Sequence, residues 1–235
     1  MNLSIIIPAF NEERRILYTV DSVTDFLLQR DWSHEILVVD DGSLDRTAEV
    51  VEHAAARSAV LSCIRSPRNC GKGSAVRIGV GQAQGEVIGF IDADDKTDII
   101  SLDVVMNRIE AGSDGVIGDR TLRASDIAVP RRRYRQFGSD QFRRILRAGM
   151  GLGDFPDTQC GFKFFQGDVL RDLFRRQKID GYMFDVEILL LAGKLGLKID
   201  RIPVHWRDDP DSRFNPVSGS IRNFIELLRI RRLHH

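Results

Sequence analysis

Val87-Ile-Gly-Phe-Ile-Asp-Ala-Asp94 sets five uncharged residues directly before two aspartates separated by one alanine. An apolar run of this length that stops at acids reads as a strand buried on both faces, delivering chemistry to one edge of a parallel sheet. Two upstream stretches have the same form. Ser4-Ile-Ile-Ile-Pro-Ala-Phe-Asn-Glu12 ends in small, polar and acidic residues, and Ile36-Leu-Val-Val-Asp-Asp-Gly-Ser-Leu-Asp-Arg-Thr47 ends in a pair of acids and a glycine. Three strands that all finish this way point to an enzyme site assembled at their tips.

Working outward from these runs, strands are expected at Leu3–Ile7, Ile36–Val39, Val60–Ile64 and Val87–Ile91. Helices are expected from Asn11 towards Leu28, from Leu44 to about Arg57 with Ser43 as N-cap, and from Ser74 to Ala83. Strict alternation of strand and helix predicts a doubly wound α/β sheet. Beyond Asp94 the rhythm loosens. Val104–Glu110 reads as helix, Gly115–Ile117 as a short strand, Gln141–Arg147 as a basic helix and Phe162–Phe165 as a strand. A helix over Asp185–Leu195 and a strand over Lys198–Val204 complete the core. No linker divides the 235 residues, so one domain is expected: a nucleotide-binding half over 1–95, an acceptor half over 96–215 and an amphipathic C-terminal helix over 219–233.

Lysine plus arginine equals aspartate plus glutamate, 34 of each, so net charge selects no partner and nucleic acid is not expected. The distribution does select one. Arg131 to Arg147 holds seven arginines against the single acid Asp140, a local basic patch suited to an anionic group. The three cysteines, Cys63, Cys70 and Cys160, have no CxxC spacing, which argues against a disulfide framework and a structural zinc, and fits a reducing cytosol. No stretch approaches the roughly 20 apolar residues that span a bilayer. A lipid substrate would be met from the membrane surface, and the expected location is cytoplasmic, peripheral at the cytoplasmic membrane face.

Asp92 and Asp94 are the expected metal ligands, with Ala93 between them. A nucleoside diphosphate leaving group carries several negative charges, and Mg2+ or Mn2+ held on carboxylate oxygens can bridge its phosphates. Asp40 and Gly42, at the end of the second run, suit a base N–H or ribose hydroxyls with close backbone approach. Pro8, Ala9, Phe10, Asn11 and Glu12 extend that surface, Phe10 beside the base and Glu12 at the ribose. Asn69-Cys-Gly-Lys-Gly73 places Lys72 between two glycines ahead of a helix, a cradle for phosphate. Neither GxGxxG nor a Walker sequence occurs, which weighs against dinucleotide oxidoreductases and ATPases.

Taken together these segments, with Asp157-Thr-Gln-Cys-Gly-Phe-Lys163 and Phe184-Asp-Val-Glu187, resemble the inverting nucleotide-sugar glycosyltransferases of family 2, in particular those acting on dolichyl or other polyprenyl phosphates. The resemblance implies the GT-A fold, Rossmann-like with a mostly parallel sheet flanked by helices. It implies a metal-dependent hexosyltransferase using a UDP-hexose, glucose preferred, and a polyprenyl or dolichyl phosphate acceptor. It assigns Arg120, Arg135 and Ser139 to the acceptor phosphate, Asp40 to the nucleotide, and Asp157 to the sugar and acceptor, orienting the sugar in preference to acting as a base. Lys96 stands where several of these enzymes carry a neutral residue. Arg131–Arg133 would face lipid head groups, Trp206 the sugar or lipid entry, and Arg213 the phosphate. The alternatives are a soluble glycan or small-molecule acceptor, or GDP-mannose as donor. Ile221, Phe224, Ile225 and Leu228, flanked by arginines, mark a helix that either lies in a membrane interface or docks on the core.

Overall fold

The computed structural model describes residues 1–125, 150–207 and 216–234. Seven strands form one sheet: β1 (Leu3–Ala9), β2 (His34–Asp40), β3 (Leu61–Arg65), β4 (Val87–Ile91), β5 (Gly115–Gly118), β6 (Phe162–Gln166) and β7 (Ile199–Ile202). Their order is β3-β2-β1-β4-β6-β5-β7. Strands β1 to β4 pair parallel, as does β5 with β7, whereas β6 runs antiparallel to both of its neighbours. The sheet is therefore mostly parallel, as expected. The sequence boundary drawn at residue 95 falls inside this single sheet.

Alternation along the strands divides the core between the two faces, because successive side chains in a strand point to opposite sides. Ile6, Leu37, Val39, Ile88 and Phe90 pack with Val76, Val80, Phe174 and Phe184 on one side. Ile5, Ile7, Ile36, Val38 and Ile91 pack with Ile16, Val20, Val23, Leu27 and Val51 on the other. The first side is covered by α3 (Lys72–Gln82), α5 (Gly167–Arg176), α6 (Phe184–Lys194) and α7 (Pro216–His234). The second is covered by α1 (Ile16–Leu27), α2 (Thr47–Ala55) and α4 (Leu102–Glu110).

Helix starts differ from the sequence reading for local reasons. Asn11 adopts a left-handed φ of 57° and its Oδ1 accepts the Leu44 N–H at 2.8 Å, so α1 begins at Ile16 and not at Asn11. Ser43 does not cap α2. Its hydroxyl accepts the Asn11 N–H at 2.9 Å, and the Asp45 carboxylate takes the Thr47 N–H at 3.0 Å at the helix start. The two loops are thus laced together instead of extending their helices. Strand β1 runs through Pro8, which pairs with Val39 on β2 but lies beyond the stretch matched to β4, where a missing N–H costs least. Helix α5 went unread although Leu170, Leu173 and Phe174 carry the i, i+3, i+4 spacing of a buried face. The expected helix at Gln141–Arg147 lies outside the described residues.

The C-terminal helix docks with a different face from the stripe noticed in sequence. Leu227 and Ile230 are buried, while Phe224, Ile225 and Leu228 are 51, 59 and 53 % exposed. Glu226 fastens the docked side by accepting the Met183 N–H at 3.0 Å.

Candidate active site

Strand direction brings the motifs together. The carboxyl ends of β1, β2 and β4 share one edge because they are parallel. Antiparallel β6 begins at that edge, Ile91 pairing with Phe162, and β5 and β7 end there. Phe10 and Asn11, Asp40 to Gly42, Asp92 to Asp94, Asp119 and Arg120, Asp157 to Gly161, and His205 and Trp206 therefore follow or precede strands along one rim.

At the β2 tip both acids are buried, and they divide the work. Asp40 receives the Ser43 N–H, at 3.3 Å to either oxygen. Asp41 accepts the Cys70 and Gly71 N–H groups at 2.9 and 2.8 Å, tying the Asn69–Gly73 loop to the sheet. Burial raises the Asp41 pKa despite those two bonds. Between the acids and Ser43, Gly42 has φ +70°, and a side chain there would run into the Arg68 and Asn69 backbone. Phe10 is exposed at the rim and not packed in the core. The Glu12 carboxylate is gripped by Arg15, with Nε at 2.8 Å and Nη2 at 2.9 Å, so a ribose would share it with that guanidinium.

The loop fixed by Asp41 leads into α3, whose first residue is Lys72. Its ammonium lies 2.6 Å from Asp92 Oδ1 and 5.8 Å from the Phe184 ring centroid. Burial pulls the Lys72 pKa down, but the charges of Asp92 and Asp185 outweigh it, and the group stays a cation above the usual lysine range. Burial likewise pushes Asp92 up. Lys72, with Lys163 and Arg120 acting through space, overrides this and holds the carboxyl below its ordinary value. Two residues on, Asp94 Oδ2 pairs with Lys96 at 2.7 Å, while Asp94 Oδ1 is buried without a hydrogen-bond partner among the described residues. Among the described residues no three His, Cys, Asp or Glu side chains gather as a metal cluster.

Asp92 also depends on the strand beside it. Its N–H donates to the Gly161 carbonyl at 3.1 Å, and a methyl group on Gly161 would overlap the Asp92 carboxylate. Gly161→Ala is expected to displace Asp92 and lower turnover about 100-fold, with secondary structure unchanged by circular dichroism. Turnover within threefold of wild type would show that Asp92 tolerates the shift.

Arg120 and Asp157, assigned separately in sequence, bind each other. The Arg120 backbone N–H and Nε donate to Asp157 Oδ2 at 2.9 and 2.7 Å, and Nη2 to Oδ1 at 2.7 Å. Burial raises the Asp157 pKa and the arginine more than reverses it, holding the carboxyl low. The Arg120 guanidinium also sits 5.4 Å from the Trp206 ring centroid. Cys160 is fully buried, and burial raises its pKa to about 12, so it is a small packed residue and no thiolate. Arg135, Ser139, Arg131 to Arg133 and Arg213 lie outside the described residues.

Sequence reasoning missed three contributors. Asp41 was hidden in an acidic doublet that gives no sign of which carboxylate turns inward. Lys163 is completely buried, its ammonium donating to the Cys160 carbonyl at 2.6 Å and to Asp185 at 2.7 Å. A lysine inside Phe162-Lys-Phe-Phe165 was the available clue, since a charge in so apolar a strand requires a buried partner. Asp185, in the first turn of α6, is that partner.

A mostly parallel sheet with an acidic rim, flanked by helices on both faces, is the GT-A glycosyltransferase architecture. Glucosyl-3-phosphoglycerate synthase of Mycobacterium tuberculosis, solved with Mn2+, UDP and glucosyl-3-phosphoglycerate, superposes with a TM-score of 0.74 at 21 % identity, over 98 % of this chain and 80 % of that one. Its complex with Mg2+ and UDP gives 0.73 at 20 %, over 98 and 79 %. Residues 4–174 match the model of glycosyl transferase family 2, and the chain belongs to that family. Similar relatives include dolichyl-phosphate beta-glucosyltransferases of Trichomonas vaginalis, 35 % identical over 97 % of this chain and 72 % of the relative, and of Drosophila melanogaster, 34 % over 92 and 70 %. The Homo sapiens enzyme of that name is 28 % identical over 97 and 74 %.

Proposed function

We propose that this chain transfers glucose from UDP-glucose to a polyprenyl or dolichyl phosphate with inversion, using Mg2+ or Mn2+. The observation that carries this reading is the meeting, on one rim, of Lys72, the acids after β4 and the Arg120–Asp157 pair. The names of the relatives supply the sugar and the lipid, and the contents of the solved neighbours agree with UDP and a divalent ion.

The residues fit the ion. Asp94 has a buried oxygen that no described residue claims, and two carboxylates suffice for a hard cation that takes its other oxygens from phosphates and water. Asp92 and Asp94 would hold it, and when bound it supplies positive charge to the departing diphosphate. Asp40 faces the base or ribose. Lys72, kept protonated, meets the diphosphate from the start of α3, where backbone N–H groups also favour anions.

An acceptor phosphate is already ionised near neutral pH, so it requires placement and no base. One of its oxygens attacks the anomeric carbon opposite the nucleotide. The bond from that carbon to the diphosphate breaks, its electrons leave with UDP, and a β-linked lipid-phosphate glucose results. Arg120, held by Asp157, meets the acceptor phosphate together with Arg135 and Ser139. Asp157 Oδ1 accepts one bond from Arg120 and retains a lone pair for a sugar hydroxyl.

The lipid is met from the membrane surface, with no helix among the described residues long and apolar enough to cross it. In this reading α7 lies in the interface. Exposed Phe224, Ile225 and Leu228 lie opposite docked Leu227 and Ile230, with Arg222, Arg229, Arg231 and Arg232 around them, each arginine worth about 1 kcal/mol near an anionic surface.

The decisive experiment offers UDP- and GDP-hexoses with a polyprenyl phosphate, a soluble glycan or a phosphorylated small molecule. Product from UDP-glucose and the lipid phosphate alone is expected, and preference for a soluble acceptor would overturn the lipid assignment. Serine at Phe224, Ile225 and Leu228 together is expected to lower binding to anionic vesicles about tenfold or more while leaving turnover of a detergent-dispersed acceptor unchanged. Undiminished vesicle binding would remove α7 from the interface.

A further inference from the structure

Lys96 is not placed by chance next to Asp94. Asp95, between them, has a left-handed φ of 50°, which doubles the chain back so that the lysine reaches the carboxylate it follows. The turn is then pinned. The Lys96 carbonyl accepts the Arg207 N–H at 2.8 Å, the Asp98 N–H donates to the His205 carbonyl at 3.0 Å, and Thr97 bridges Trp206. The side chains of Lys96 and Asp94 are only 15 and 20 % exposed, so their 2.7 Å contact is a partly buried pair in a fixed backbone, unlike a surface pair that solvent loosens.

Consider what a divalent cation meets here. Asp92 is already paired with Lys72 and Asp94 with Lys96: two negative charges, each matched by one ammonium. Among the described residues Asp94 Oδ1 has no hydrogen-bond partner, yet an ammonium stands against each of the two carboxylates, and in a partly buried site such charges repel a further cation. A diphosphate changes this balance, since its oxygens give both ammonium groups new partners.

We propose that Lys96 is a built-in counter-cation that competes with the divalent ion for Asp94, so that the ion enters well only with a nucleoside diphosphate able to draw the lysine away. This rests on the reading of Asp92 and Asp94 as the metal-holding pair. Lys96 is accordingly a positioning residue. It keeps the Asp94 charge matched between turnovers and couples the two halves of the donor complex, metal and nucleotide, through their shared effect on one side chain.

Mn2+ binding, read from the electron paramagnetic resonance signal of the free ion, tests this with no turnover involved. Titrations compare wild type, Lys96→Met, Lys96→Gln and Lys96→Arg, each with and without UDP. Without UDP, Lys96→Met and Lys96→Gln are expected to bind Mn2+ about tenfold or more tightly than wild type, and the enhancement by UDP to shrink by the same factor. Lys96→Arg, which keeps the charge, is expected to stay within threefold of wild type. Unchanged or weaker Mn2+ binding in whichever neutral variant folds overturns the proposal. Asp94→Ala separates it from the reading beneath: if that variant binds Mn2+ and UDP as wild type does, the metal site itself is misplaced. Loss of Mn2+ in Asp94→Ala without tightening in the Lys96 variants removes only the competition.

Discussion

Asp94→Ala is expected to lower turnover about 1000-fold or more, the loss that follows when several kcal/mol of charge stabilisation is withdrawn from a departing diphosphate. Among the described residues Asp94 Oδ1 is buried without a hydrogen-bond partner, and the other oxygen is the partner of Lys96. In the metal-holding role proposed for Asp94, its removal takes away a ligand and leaves the Lys96 ammonium without its carboxylate. Affinity for UDP with Mn2+, measured by calorimetry, is expected to fall alongside turnover, whereas UDP binding without metal is expected to change little. Turnover within tenfold of wild type would mean that the β4 tip does not govern the leaving group.

Asp157→Ala is expected to act mainly on the fold, by about 3–5 kcal/mol in urea unfolding, because it strands a buried guanidinium. Arg120 commits its backbone N–H, Nε and Nη2 to this carboxylate, and both side chains are largely withdrawn from solvent. Arg120→Met with Asp157→Leu removes both charges and is expected to recover most of that stability without recovering activity. The pH dependence has a definite sign. Folding lowers the Asp157 pKa beneath its ordinary 3.8, so its contribution is whole above that value and disappears as pH falls through the lower, folded one. The gap between wild type and Asp157→Ala should therefore be flat from about pH 5 to 8 and close only in stronger acid. A gap under 1 kcal/mol at neutral pH would show that Arg120 finds other partners.

The parallel half of the sheet was readable because Ile5–Ile7, Ile36–Val39 and Val87–Ile91 are continuous uncharged runs, and a strand covered on both faces has that appearance wherever it occurs. The acids after β2 and β4 were readable for the same reason, since polarity changes abruptly where a buried strand emerges. What could not be read depended on partners distant in sequence. Ser43 follows a strand and precedes a helix, which suggests a cap, yet its hydroxyl serves Asn11 from another loop. Arg120 and Asp157 each suggested a ligand, and nothing local revealed that each is the other's first partner. The seam of α7 eluded periodicity because that helix has apolar residues on two sides, and only the packed structure shows that Leu227 and Ile230 face inward.

The reversed direction of β6 brings together two stretches far apart in the chain. Strand β5 ends and β6 begins at the same rim, with Ile117 beside Lys163, so Arg120, just after β5, meets Asp157, a few residues before β6. That pair, and the Gly161 carbonyl that receives the Asp92 N–H, clasp both ends of the intervening stretch to the sheet. A change of length or composition that spares this clasp leaves the registers of β4, β5 and β6 unaltered.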